Sequence, residues 1–126
     1  MRSVAALLLT ASLAACASTG GSSPVRERDV ITAEEIARLH VATAYDVVQN
    51  LRPEFLRSRG AASIQNPAPE TAIVYVDGVR SGGIDALHNL PRDVLHEIRY
   101  LNGADATTIY GTGHGGGAIQ VTTRRG

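Results

Sequence analysis

Thr71-Ala72-Ile73-Val74-Tyr75-Val76, closed by Asp77-Gly78, is the stretch that decides the fold. Its β-branched and aromatic residues read as a buried strand, and Asp-Gly supplies the backbone freedom of a tight turn. Downstream, His96-Glu-Ile-Arg-Tyr-Leu101 alternates apolar and polar residues and stops at Asn102-Gly103, predicting a second strand. Asp105 is placed to N-cap a short helical turn running through Tyr110. Ala118-Ile-Gln-Val-Thr-Thr123 alternates again and reads as the last strand. Upstream the period changes. Thr32-x-x-Glu35 is a capping box, with Ile36 and Leu39 at helical spacing behind it. A second helix from Thr43 or Ala44 to Leu51 buries Val47, Val48 and Leu51, and Pro53 opens a turn that carries Phe55 and Leu56 into the core. Residues 60–70, with Gly60, Pro67 and Pro69, read as a loop holding one short extended piece at residues 63–65. Early helices followed by strands joined through loops and short helices predict a small α+β domain with a short mixed sheet. No internal repeat is visible.

Composition narrows the function. The chain has 126 residues, enough for one small domain, and 44% apolar with 19% charged residues permits folding. Twelve Arg balance 12 Asp plus Glu, and Lys is absent. Zero formal charge leaves no electrostatic footprint for nucleic acid, and the lack of Lys excludes a Walker A loop or a Schiff base. The single Cys excludes an internal disulfide framework and a Cys-based zinc cluster.

The N-terminus reads as an address. Met1-Arg2, the apolar run from Val4, and the small residues before Cys16 match a secretory signal peptide, and the run is too short to span a bilayer. Leu13-Ala14-Ala15-Cys16 resembles the lipobox of bacterial lipoproteins, whose Cys is acylated and becomes the new N-terminus. The resemblance implies a signal peptide over residues 1–15, with a lipidated Cys16 and flexible tether over residues 16–29. The tether holds the Gly/Ser-rich stretch Ala17-Ser-Thr-Gly-Gly-Ser-Ser-Pro24 and a solvated charge run, Arg26-Glu-Arg-Asp29. The domain then occupies residues 30–126. Loss of Arg2 leaves 11 Arg against 12 acids, a formal charge of −1. More than one acyl chain makes a stable anchor where a single chain is marginal. Ala17, in place of the Asp that retains lipoproteins of the enteric type in the inner membrane, implies the outer membrane with the domain facing the periplasm.

Several spellings suggest chemistry that their context withholds. Gly111-x-Gly113-x-x-Gly116 matches a dinucleotide fingerprint, but it leads into a strand, with ten residues remaining after Gly116. His114-Gly-Gly-Gly117 resembles the oxyanion-hole run of some esterases, yet no Gly-x-Ser-x-Gly elbow accompanies it. His40, His88, His96 and His114 fall into no metal-ligand spacing, so no metal or cofactor is expected. Asp85-x-x-His88 reads as a surface contact. Five glycines among residues 111–117 imply either a mobile binding loop or backbone passing closely beneath other elements. Asp77, Arg80 and His114 are the candidate ligand- or partner-binding residues.

Taken in order, several segments resemble the plug domain of TonB-dependent outer-membrane receptors. They are Val30-Ile-Thr-Ala-Glu-Glu-Ile36, Arg59-Gly60, Val74-Tyr-Val-Asp-Gly-Val79, Leu90-Pro-x-Asp-Val94, Glu97-Ile-Arg-Tyr-Leu-Asn-Gly103, Thr108-Ile-Tyr-Gly111 and Gly116-Gly-Ala-Ile-Gln-Val-Thr-Thr-Arg124. The resemblance covers residues 30–125. A receptor barrel needs many strands of about 9–11 residues, so this chain, ending at Gly126, is expected to be a plug fold reused without the pore. Residues 29–33 overlap the domain's first strand, and no TonB-box role is carried onto them. The expectation is a non-enzymatic binding or adaptor module, whose partners are the membrane through Cys16 and an outer-membrane barrel or TonB-system protein. The alternative is a periplasmic small-ligand-binding lipoprotein that uses the glycine loop with Asp77 and Arg80.

Overall fold

The computed structural model describes residues 27–58 and 70–125. Cys16, the expected signal peptide, the Gly/Ser stretch, Arg59-Gly60 and the extended piece expected at residues 63–65 lie outside the described residues. Glu27–Asp29 forms a single 3-10 turn in which Glu27 and Arg28 are exposed and Asp29 is half-buried.

The domain is α+β, built on one mixed five-stranded sheet. The strands are β1 (Val30–Ile31), β2 (Ile73–Val76), β3 (Val79–Gly82), β4 (Leu95–Leu101) and β5 (Ala118–Thr123). Their spatial order is β1-β4-β5-β2-β3. β2 and β5 run parallel, and every other neighbouring pair is antiparallel. The last strand in sequence is thus the middle strand in space.

Among the described residues three α-helices decorate the sheet: α1 (Ala33–Ala37), α2 (Ala44–Leu51) and α3 (Gly103–Tyr110). α1 starts at the expected box, where Thr32 caps the Glu35 amide and the Glu35 carboxylate accepts from the Thr32 amide at 2.9 Å. α2 repeats the device with Thr43 and Asp46, a second capping box. Each box satisfies two amides that the helix itself leaves without partners. The cap of α3 is a correction: Asn102, not Asp105, is the N-cap. Its side-chain oxygen accepts from the Asp105 amide at 2.9 Å, and its side-chain amide donates to the Asp105 carboxylate at 2.7 Å. Asn102-Gly103 reads in sequence as a strand stop, and the same two residues serve as a helix start.

Strand alternation sorts the sheet's two faces. On one face Val74, Ile98, Tyr100, Ile119 and Val121 pack beneath α1, α2 and the 3-10 turn at Pro53–Leu56. Phe55 is 1% exposed and stacks on Tyr100 with ring centroids 4.9 Å apart. Leu87, from a 3-10 helix at Ile84–Asn89, closes this core. On the other face α3 covers only part of the sheet, setting Ala106 and Tyr110 against Tyr75 and Ala118. The uncovered remainder of that face is polar.

β3 is the element that the apolar pattern misses. Val79, Arg80 and Ser81 are all exposed, so the strand carries no alternation to read. The signal available is Asp77-Gly78 itself, with φ of +48° and +84° joining β2 to β3 as a two-residue hairpin.

Candidate functional site

The glycine loop forms one border of the α3 face. Gly111 ends α3 with φ +92°, and the loop then passes under its neighbours to reach β5. A Cβ on Gly116 would lie 2.6 Å from the Thr71 carbonyl carbon and oxygen, and one on Gly117 would lie 2.5 Å from the Leu101 oxygen. Close backbone approach, one of the two sequence readings, therefore accounts for Gly116 and Gly117.

His114 projects from this loop beneath Tyr75 and is 5% exposed. Its Nδ1 lies 2.9 Å from the Gly111 carbonyl oxygen and its Nε2 lies 2.8 Å from the Tyr75 hydroxyl. A carbonyl can only accept, so Nδ1 carries the hydrogen, while Nε2 and the Tyr75 hydroxyl share the second hydrogen bond. Tyr75 also stacks on Tyr110 with centroids 3.9 Å apart, and the Tyr110 oxygen accepts from Gln120 at 2.7 Å. The result is a fixed aromatic and hydrogen-bonded floor.

Cross-strand register extends that floor into a row. Arg99 faces Gln120, Gln120 faces Tyr75, and Tyr75 faces Arg80, from β4 through β5 and β2 to β3. Arg99 pairs with Glu97 at 3.0 Å, while its Nε is buried without a hydrogen-bond partner. Asp77 ends the row's hairpin side. Its carboxylate accepts from the Thr123 amide at 2.9 Å and from the Thr123 hydroxyl, tying the hairpin to β5. These bonds from Thr123, aided by the Arg125 charge, hold the Asp77 carboxyl below its ordinary range. A shallow cleft of about 310 Å³ lies here, with Asp77, Tyr110, Gln120, Thr122 and Arg125 in its lining.

Asp77 and His114 are thus spent on internal contacts, while the Arg80 side chain is exposed on β3, across from Tyr75. Tyr75, Tyr110, Gln120 and Arg125 complete the site and were not singled out by sequence reasoning. A signal existed for two of them: Tyr75 carries a hydroxyl inside an apolar run, and Gln120 is polar between Ile119 and Val121.

The site offers stacking surface, hydrogen bonds and charge. Gly111-x-Gly113-x-x-Gly116 follows α3 and enters β5, so no helix N-terminus stands behind it to receive a pyrophosphate. His88 stacks on Tyr45 with ring centroids 3.9 Å apart. Among the described residues no group of three or more His, Cys, Asp or Glu side chains is placed to hold a metal, and no helix is long and apolar enough to cross a membrane.

Comparison with known proteins fits the plug resemblance. The chain is 29% identical over 112 residues to the vitamin B12 transporter BtuB of Vibrio vulnificus, an alignment covering 81% of this chain and 18% of the transporter. The chain therefore spans less than a fifth of that relative's length. No family model and no solved structure matches.

Proposed function

We propose that this chain is a non-enzymatic, plug-like binding or adaptor module of a bacterial outer membrane. In this reading lipid on Cys16 tethers it, the domain faces the periplasm, and it works beside a transport complex. The likeness to a stretch of a vitamin B12 transporter supports the transport setting. The observation that carries the adaptor role is β3, an edge strand without a second partner among the described residues, with Val79 68% exposed beside the exposed Arg80 and Ser81. An unpaired strand edge offers a row of backbone donors and acceptors to a partner strand.

The test places a photo-crosslinking residue at Val79 in cells and identifies the products in the outer-membrane fraction, with Cys16→Ser as control. The expected result is one barrel or TonB-system protein, lost in the control. Recovery of abundant lipoproteins alone would sink the adaptor reading. A second reading, a periplasmic small-ligand binder, draws support from the cleft beside Asp77. A concentration-dependent rise in melting temperature with one ligand would favour it.

A further inference from the structure

A second cleft adjoins the first, where β4 begins and β5 ends. It encloses about 490 Å³ and is lined by His96, Thr122, Thr123, Arg124 and Arg125. Two arginines, a histidine and two threonines line it, and no acidic residue does. In a chain with equal numbers of Arg and acidic residues, such local segregation of positive charge is uneven.

The backbone builds this arrangement. Leu95 faces Thr123 and Glu97 faces Thr122, so His96 is the extra residue of a β-bulge. A bulge re-aims its side chain out of the regular alternation. Here the bulged imidazole lines the cleft together with the arginines that follow β5. The Arg124 amide donates to the Val94 oxygen at 2.8 Å, and its Nε donates to the Leu95 oxygen at 3.0 Å. That second bond ties Arg124 to the start of β4, and neither Nη makes a hydrogen bond among the described residues. Arg125 makes no hydrogen bond among the described residues, and its charge also acts on Asp77 in the neighbouring cleft.

We propose that the cleft formed by bulged His96, Arg124 and Arg125 binds a phosphate oxyanion. Guanidinium groups present paired N–H donors that match the spacing of phosphate oxygens, and two such forks suit a doubly charged group better than a single carboxylate. The Thr122 hydroxyl is exposed beside them and can donate to a further oxygen. Free phosphate esters and anionic lipid headgroups share this chemistry.

The test uses the full chain carrying Cys16→Ser, so that no acyl anchor contributes. One arm titrates inorganic phosphate while the His96 ring resonances are followed by NMR. The other arm measures co-flotation with phosphatidylglycerol vesicles against phosphatidylcholine vesicles. Arg125→Gln and His96→Gln are compared in both arms, since neither removes a core residue. Saturable phosphate binding at His96, weakened about tenfold by Arg125→Gln through loss of one charge-assisted contact, is expected for a free ester. Binding to phosphatidylglycerol alone, weakened by the same substitution, would assign the headgroup as the source. Absence of binding in both arms, or binding that His96→Gln leaves unweakened, would overturn the proposal, because Arg125 also lines the cleft beside Asp77. His96→Gln changes no residue of β3 or of the cleft beside Asp77, so this site and the adaptor role can fail separately.

Discussion

At Gly116 the route of the glycine loop depends on one absent side chain. The neighbours that a Cβ would strike are the Thr71 carbonyl carbon and oxygen, together with the Glu70 carbonyl oxygen, all backbone. A flexible side-chain tip could swing aside, whereas backbone leading into β2 cannot shift without moving the strand. Gly116→Ala is therefore expected to destabilise the domain by about 1–3 kcal/mol, the usual range for forced overpacking. Urea denaturation checks this, and an unchanged midpoint would mean that the loop does not thread this closely. Five glycines in seven residues point in sequence to either close approach or mobility, because what lies over a glycine is set by distant chain. His114 was legible as a candidate for the same reason that it was ambiguous. A histidine in a glycine run can face solvent or be sealed, and here Tyr75, 39 residues away, seals it.

The helices were the most legible elements because their signals are local. Thr32 and Glu35 lie three residues apart, and the bond between them needs nothing from the rest of the fold. Glu35 also receives Arg52 from the end of α2 at 3.1 Å, which links the two helices. The Thr32 amide, then Arg52, hold the Glu35 carboxyl below its ordinary range against the opposing effect of burial. A carboxyl whose folded pKa is depressed adds stability that is present above its unfolded pKa and is lost as pH falls through the folded value. The native domain should thus lose stability on acidification below the ordinary carboxylate range. Glu35→Gln should be less stable at neutral pH and lose less on acidification, as read by chemical denaturation at a series of pH values. Parallel curves for the two proteins would show that the carboxylate contributes nothing through its charge. β3 was illegible by the same logic inverted: a strand exposed on its faces carries no buried alternation. The Asn102 cap was misread because strand stops and helix starts draw on the same residues.

Sheet order was beyond reach of the sequence pattern. The three legible strands, at β2, β4 and β5, each show a run or an alternation, but nothing within those runs places β5 between the other two. That placement comes from side chains far apart in sequence meeting in one layer: Val74, Ile98 and Val121 share a core that also receives Phe55. The consequence is that β5 is the strand the others require. Without β5, β4 and β2 have no contact through the ladder, and Ala118, Ile119 and Val121 leave the core. Gln120, Thr122 and Arg125 go with them, so both clefts and the sheet are completed by the same segment. A chain cut after Gly117 is accordingly expected to show no cooperative urea transition, since non-local strand pairing supplies the cooperativity of such a sheet. Far-ultraviolet circular dichroism during titration reads the outcome. A truncated chain that still unfolds in one sharp step would mean that the helices and β2–β3 form a core of their own, and that β5 brings the binding surface without holding up the fold.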